Sequence, residues 1–322
     1  MPTTTVGAAA SLSEPGLRGE FFRRFQPLAE ASWATKLSLP VSSDKAEEVY
    51  TDLSDTPAMQ EWIGERKFKT LVPVEYRILN KAFHAGLAIK SADKRRDRLG
   101  LLNARLGQLA SRAARHPEKL IAALINGNGT CYDGKAFFAT DHKYPKLADA
   151  PTINNAPTAS QITSLNVGTP AAPTALELAL ILSDLIAWQR GYKDTEGEPC
   201  NEDASSFVFM CPATWGGAAV QAVKDNLLIS GSVSVVNPAV RTGQTIELVQ
   251  TTRFTGTTTC CLFRSDADLK PFIWQEELPI TPGMLGENSE YEKLHQEQMF
   301  FVDWTGNAGY GWPTLATLAT LS

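Results

Sequence analysis

Residues Leu99–Ile125 read LGLLNARLGQLASRAARHPEKLIAALI, the longest run in the chain with one unbroken hydrophobic period. Leu99, Leu102, Leu106, Leu109, Ala113, Leu120 and Leu124 recur in steps of three, four or seven, which predicts a helix with a single buried stripe. Helical throughout, it would be about 40 Å long at 1.5 Å per residue. Pro117 would cost about 3 kcal/mol inside a helix, so a kink or short break after His116 is expected. The stripe keeps its phase across the proline, which predicts that both halves bury the same face. Arg105, Arg112, Arg115 and Lys119 occupy the opposite face, and Gly127 and Gly129 supply the stop. The stretch therefore reads as a spine, half core and half basic surface.

Upstream of the spine the pattern changes period. Residues 1–15 are small and polar and read as an arm, followed by Leu17–Trp33, where Phe21, Phe22, Phe25 and Leu28 mark an amphipathic helix that packs on its own domain. In Arg66–Lys90, Val74, Tyr76 and Ile78 alternate with charged residues, and Phe83, Ala85, Leu87 and Ile89 alternate with less apolar ones. Two strands joined by a turn at Asn80-Lys81 are predicted, making a long hairpin rich in Lys and Arg. A lone hairpin is marginal in water and needs a surface to lie on, in its own domain or on a neighbouring copy.

Downstream, Thr130–Phe138 predicts two short strands around the Asp133-Gly134 turn. Lys143–Pro173, rich in Pro, Ala, Thr and Asn, predicts an extended, exposed connection and a domain boundary. Thr174–Arg190 predicts a deeply buried helix opened by a Thr174/Glu177 capping box and closed by Gly191. Phe207–Cys211 reads as a strand leading into a helix over about Thr214–Leu228. Ser232–Val236, Thr245–Phe254, Thr257–Phe263 and Lys270–Trp274 read as further strands, and Met299–Ala319 as a closing strand with a packed tail. The mixture indicates an α+β or α/β protein.

With 43% hydrophobic and 20% charged residues among 322, the chain has the composition of a folded protein, and global disorder is excluded. Its net charge of -5 gives no general case for a nucleic-acid binder. The charge is unevenly placed: Glu61–Lys119 holds 14 Lys/Arg against 6 Asp/Glu, leaving 16 against 29 elsewhere. A basic segment in an acidic chain is suited to attraction between copies or to contact with a polyanion. Five cysteines without regular spacing point to a reducing compartment. Met1–Ser13 lacks the pattern of a secretion signal, and no later segment reaches the about 18 apolar residues of a membrane span.

Cys131 with Asp141-His142 is the one constellation that suggests a nucleophile and base, giving a cysteine hydrolase as an alternative function. Its local context, a hairpin turn and a polar loop, favours a structural role. The histidines and cysteines lack zinc-ligand spacing; adjacent Cys260 and Cys261 should point to opposite faces of a strand. Gly127-Asn128-Gly129-Thr130 is a helix stop rather than a phosphate loop. Neither a catalytic set, a metal nor a cofactor is expected. Glu61-Trp62-Ile63-Gly64-Glu65-Arg66 reads either as a surface ion pair anchored by Trp62 or as an interchain contact. With the basic hairpin face it defines the candidate subunit interface: Trp62, Glu65, Arg66, Lys67, Lys69, Arg77 and Lys81.

The order of these motifs resembles the major head subunit of Mu-like phages and prophages. The resemblance rests on the Glu61–Arg66 block, on Tyr76-Arg77-Ile78-Leu79-Asn80-Lys81, on the spine, and on Cys131-Tyr132-Asp133-Gly134 with Phe137-Phe138 and Asp141-His142. It continues through Thr174–Arg190, Phe207–Ala219, Lys270-Pro271-Phe272-Ile273 and Tyr310-Gly311. It implies an α+β major capsid protein of the Hong Kong 97 type, divided into an arm with its helix (1–60), an extended hairpin loop (61–93), the spine and peripheral strands (94–145), an axial domain (146–260), and a return to the peripheral domain with the tail (261–322). It also implies self-assembly into hexamers and pentamers of an icosahedral shell, built in the bacterial cytoplasm around double-stranded DNA. The implied partners are a scaffold, a maturation protease, a portal and decoration proteins. A nanocompartment shell of the same fold is the second alternative. Pro117 is the departure from a straight spine.

Overall fold

The computed structural model describes residues 14–50, 75–92, 100–143, 151–194, 197–230, 233–241, 243–286 and 289–322. In chain order, one-turn segments aside, these form α1 (Glu14–Glu30), β1 (Ser38–Ser42), β2 (Glu47–Tyr50), β3 (Tyr76–Leu79), β4 (Lys81–Lys90), α2 (Leu101–Ala114), α3 (His116–Gly127), α4 (Ala175–Arg190), β5 (Ser206–Pro212), α5 (Gly216–Lys224), β6 (Leu227–Ser230), β7 (Val233–Val236), β8 (Thr245–Thr251), β9 (Thr259–Arg264), β10 (Phe272–Leu285), α6 (Glu290–His295), β11 (Glu297–Tyr310) and β12 (Ala316–Thr320). Among the described residues no helix is long and apolar enough to cross a membrane.

The spine is two helices, α2 and α3, separated at Arg115. Pro117 sits in the first turn of α3, where its missing N–H is not needed. Across the break the buried positions continue as Ala110, Ala114, Ile121 and Ile125, so in α3 the most buried line lies one residue beyond Leu120 and Leu124. In α2 the buried residues are Leu106, Leu109, Ala110 and Ala114; in α3 they are Ile121, Ala122 and Ile125, with Leu120 and Leu124 only half-buried. The halves serve different cores. Leu106 and Leu109 pack with Leu17 and Phe21 of α1 and Phe300 of β11, whereas Ile121 and Ile125 pack with Phe137, Phe263, Phe272 and Tyr310. Within α1, Phe22 and Leu28 stay exposed. The spine ends on Asn128 rather than on a glycine: Asn128 is left-handed (φ 40°), and its amide bonds the Phe138 N–H at 2.7 Å and the Phe138 carbonyl at 3.0 Å.

Two four-stranded sheets flank this framework. The first has the order β1-β10-β11-β4, with β1 parallel to β10 and the other pairs antiparallel. Strand β10 runs 14 residues, well beyond the Lys270–Trp274 reading, because irregularities at Glu276–Thr281 let it bend and continue; β11, also of 14 residues, is the closing strand expected within Met299–Ala319 and begins two residues earlier. The second sheet, β12-β9-β5-β8, is buried on both sides. Phe207, Phe209, Cys260 and Leu262 face α4 and α5, while Val208, Met210, Cys261 and Phe263 face the α3 core. A strand buried on both faces reads as an unbroken apolar run, which is why Phe207–Cys211 shows no alternation. Cys260 and Cys261 lie on opposite faces, as their adjacency requires. The capping box of α4 is present, with Glu177 N–H on Thr174 Oγ1 and Thr174 N–H on Glu177 Oε2.

Four other expectations change. β3 and β4 follow one another but do not pair: Asn80 is a corner held by Ser43 Oγ (2.9 Å) and the Lys45 carbonyl (2.7 Å), β3 pairs with β2, and β4 pairs with β11. The described part of Lys143–Pro173 is not an exposed connection, since Ile153, Asn155, Ile162 and Leu165 are buried. Asn155 makes this possible by accepting the Ala139 N–H and donating to the Phe137 and Pro313 carbonyls. The helix after β5 stops at Lys224, and Leu227–Leu228 begin β6. Finally, Thr130–Phe138 holds one Thr130–Ala136 bridge and a turn at Gly134 (φ +80°) rather than two strands.

Candidate assembly surface

Of the seven interface residues expected from sequence, Trp62, Glu65, Arg66, Lys67 and Lys69 lie outside the described residues, and Arg77 and Lys81 lie within them. Residues 51–74 connect β2 to β3, so the hairpin in this chain is the β2–β3 ribbon, Tyr50 opposite Tyr76 and Glu47 opposite Leu79. The Lys81–Lys90 strand is a separate element on the main sheet.

The base of the ribbon is fixed to that sheet by polar contacts around the fully buried Gln275. Tyr50 Oη donates to Gln275 Oε1 at 2.9 Å, and Gln275 Nε2 donates to the Ile78 carbonyl (3.2 Å) and Asn80 Oδ1 (2.6 Å). Asn307 donates to the Leu79 carbonyl at 2.8 Å, and Tyr76 Oη accepts the Tyr310 N–H at 3.0 Å. Burial pushes both the Tyr50 and Tyr76 phenols up to about 12, so they remain neutral hydrogen-bonding groups. Ile78 lies over Gly309, where a side chain would collide with it. Arg77 is exposed, pairs with Glu75 (3.1 Å) and Glu47 (3.7 Å), and is raised above the usual arginine range, first by its Glu75 hydrogen bond. Arg77 is thus already neutralised within its own chain, whereas Lys81 is exposed at the start of β4.

A second exposed element was not legible as such. Among the described residues β6 and β7 pair only with each other, and Leu227, Ile229, Val233, Val235 and Val236 are all exposed, Ile229 at 80%. An apolar two-stranded ribbon left exposed by the described residues is a candidate contact surface. Its signal, two short β-branched runs around Ser230-Gly231-Ser232, is visible in sequence once the helix before it is ended at Lys224.

Cys131 and His142 do not form a nucleophile and base. Cys131 Sγ contacts the Gly311 carbonyl at 3.7 Å, and burial pushes its thiol far up. Both His142 nitrogens are engaged, Nδ1 with Asp133 Oδ2 at 2.6 Å and Nε2 with the Phe137 carbonyl at 3.0 Å. These contacts brace the turn against the core. Among the described residues no group of His, Cys, Asp or Glu is arranged to hold a metal ion.

The fold is that of tailed-phage major capsid proteins, α+β and of the Hong Kong 97 type. It superposes on the mature capsid of bacteriophage PhiM1 with a TM-score of 0.54 at 13% identity, covering 90% of this chain and 87% of that one. On the procapsid of bacteriophage JBD30 the TM-score is 0.52 at 21% identity, covering 96% and 75%. Residues 13–171 match the family model of the Mu-like prophage major head subunit gpT. The chain is 32% identical over 148 residues to the Mu-like prophage FluMu major head subunit of Haemophilus influenzae, and 31% identical over 115 residues to the major capsid protein of Escherichia phage Mu. These alignments cover 45% and 35% of this chain, and 47% and 38% of the relatives' lengths. The likeness to the Mu-like major head subunit thus holds in sequence over residues 13–171, and the likeness in fold to phage capsid proteins extends over nearly the whole chain.

Proposed function

We propose that this chain is the structural subunit of an icosahedral phage or prophage head, copies of which assemble into hexamers and pentamers of a shell enclosing double-stranded DNA. The observation that carries the reading is the family match over residues 13–171, because that stretch contains α1, the β2–β3 ribbon and the spine. These elements form the arm, the hairpin and the long axis of a shell subunit. In the same reading, 1–60 is the arm, 61–93 the hairpin loop, 94–145 the spine and peripheral strands, 146–260 the axial domain, and 261–322 the return and tail. Head-to-tail contacts between such subunits close into rings. The ribbon loop, with Trp62, Glu65, Arg66, Lys67 and Lys69, reaches a neighbouring copy, and the apolar β6–β7 ribbon meets its equivalents. A scaffold, a maturation protease, a portal and decoration proteins are its partners, and the shell is built in the host cytoplasm and ends in the virion. DNA is held by containment, in keeping with the acidic balance of the chain.

The test is light scattering on a sizing column, with electron microscopy of the void fraction. Closed shells, or rings of five or six, are expected. A monomer that stays monomeric when the cognate scaffold is co-expressed would overturn the reading.

A further inference from the structure

A cavity of about 510 Å³ lies where the spine breaks, between the α2–α3 junction and the first sheet. Its floor is aromatic and aliphatic: Phe83, Ile280, Val302 and Trp304. Its rim carries Arg112, Arg115, Lys119 and Arg253, and among the described residues no carboxylate lines it. Among the described residues none of these four cations is in an ion pair. The carboxylates nearby are otherwise placed: Glu118 accepts a hydrogen bond from Ser32 at 3.1 Å, and Asp303 lies across from His84 in the β11–β4 register. His116 closes the wall, its ring 4.5 Å from Phe83 and 5.3 Å from Trp304, and its Nε2 is buried without a hydrogen-bond partner. An unsatisfied buried polar atom beside a cavity needs a reason.

The neighbouring strand supplies a second feature. β4 ends its sheet, and among the described residues no strand pairs with its outer edge over Lys81–Lys90. Consecutive β4 residues, Phe83, His84 and Ala85, line the cavity, so the strand edge borders it. A second cavity, lined by Ala85, Gly86 and Leu87 and by Arg105 and Arg112, continues the groove along α2. Proteins usually protect a long flat edge with prolines, bulges or cover, and this one has small residues at Ala82, Ala85, Gly86 and Ala88. The groove thus has one wall able to accept a strand and another able to accept carboxylates.

We propose that this groove is a docking site for an extended acidic segment of a second copy of this chain. The segment adds a strand to the edge of β4, sets its carboxylates among Arg112, Arg115, Lys119 and Arg253, and drops an apolar side chain onto Phe83 and Trp304. Main-chain pairing supplies affinity in such strand addition, and the pockets for alternate side chains supply specificity. A polypeptide suits the site better than nucleic acid, because a phosphate backbone has no use for an apolar floor or a strand edge. A second copy is favoured by charge, since the chain outside Glu61–Lys119 carries 29 Asp/Glu against 16 Lys/Arg.

The inference rests on the shell reading, and the experiment separates the two. A photo-crosslinking amino acid is placed at Ser111, which lines the cavity, in shells assembled from mixed 14N- and 15N-labelled protein. Crosslinks from Ser111 to an Asp/Glu-rich segment of the other isotope class are expected. In parallel, Arg112→Glu/Arg115→Glu/Lys119→Glu is expected to lower the assembled fraction at least tenfold at about 150 mM salt, with the monomer's unfolding midpoint unchanged. Crosslinks only within one chain, crosslinks to DNA, or normal assembly of the triple variant would each overturn the docking site while leaving the shell reading intact. Failure of the wild-type protein to assemble would overturn both.

Discussion

The Tyr310 hydroxyl accepts the Gly129 N–H at 2.6 Å and donates to the Leu124 carbonyl at 2.8 Å, joining the end of β11 to the end of the spine. One phenol thereby satisfies two backbone groups at a helix C-terminus, while its ring stacks on Phe137 at 5.0 Å. Tyr310→Phe keeps the ring, takes the acceptor from the Gly129 N–H and removes one of two donors to the Leu124 carbonyl, which keeps the Asn128 N–H. A loss of about 1–3 kcal/mol is expected, measured as a lower urea midpoint with an unchanged slope.

The same core governs thiol chemistry. Burial pushes Cys211 up to about 12 and raises Cys131, Cys260 and Cys261 further. Only Cys200 is partly exposed. Iodoacetamide on the native protein at pH 8 is therefore expected to alkylate Cys200 alone, with all five modified after unfolding, as read by peptide mass. Rapid native labelling of Cys131 would instead revive the hydrolase reading.

The sequence carries the elements whose signals are local. The capping box before α4, the break that Pro117 imposes and the opposite faces of Cys260 and Cys261 need only neighbours a few residues away; the first and last appear where the pattern puts them, and the break falls at Arg115, just before the expected place after His116. What it does not carry is pairing. Asn80 looks like a hairpin turn because it is polar and flanked by two alternating runs, but its side chain is bound to Ser43 and Lys45 and turns the chain from one sheet to another. Residues 151–173 look solvated because they are small and polar, while Asn155 lets them be buried by bonding three distant backbone groups. Likewise the pattern puts Leu120 and Leu124 in one stripe with Leu106 and Leu109, whereas α3 faces a different core from α2 and buries Ile121 and Ile125 most deeply. Of the candidate assembly surface, the sequence shows the charges, and the exposure of the β6–β7 ribbon appears only in the fold.

Acid should weaken the corner around Arg264. Burial would raise Asp266, but hydrogen bonds from Arg264 (2.8 Å) and Ser205 hold it down at about 2. An unfolded aspartate titrates near about 3.9. A depressed folded value contributes stability that is present above about pH 4 and lost as pH falls toward about 2. Asp266→Asn is expected to lower stability at pH 7 and to flatten its decline between pH 4 and 2, read from urea midpoints across that range. An unaltered pH profile would remove Asp266 from the account.

The apolar β6–β7 ribbon gives a separable test of assembly. Ile229 is 80% exposed and Val233 64%, so replacing both with aspartate removes no core packing. Monomer stability is expected to stay within about 0.5 kcal/mol. Shell or ring formation should be lost, because a like-charged ribbon cannot meet its own copies. Normal particles from Ile229→Asp/Val233→Asp, seen by electron microscopy, would leave this ribbon without an assembly role.

The ribbon loop makes the last prediction, and it depends on charge rather than apolar area. Arg66, Lys67 and Lys69 fall in the 51–74 connection, whose two ends are fixed by Tyr50 on Gln275 and Tyr76 on Tyr310. The acidic remainder of an identical chain is the complement of these three cations. Arg66→Glu/Lys67→Glu/Lys69→Glu replaces attraction with repulsion against that surface without touching the Gln275 network. Closed shells should fall at least about tenfold, because the weakened contact recurs at every copy in the shell, while circular dichroism and the unfolding midpoint of the monomer stay at their original values. The effect should shrink as salt rises, because exposed charges more than about 8 Å apart are screened at physiological ionic strength. Sedimentation velocity across a salt series reads both trends; assembly indifferent to the triple change at every salt would place the contact elsewhere on the subunit.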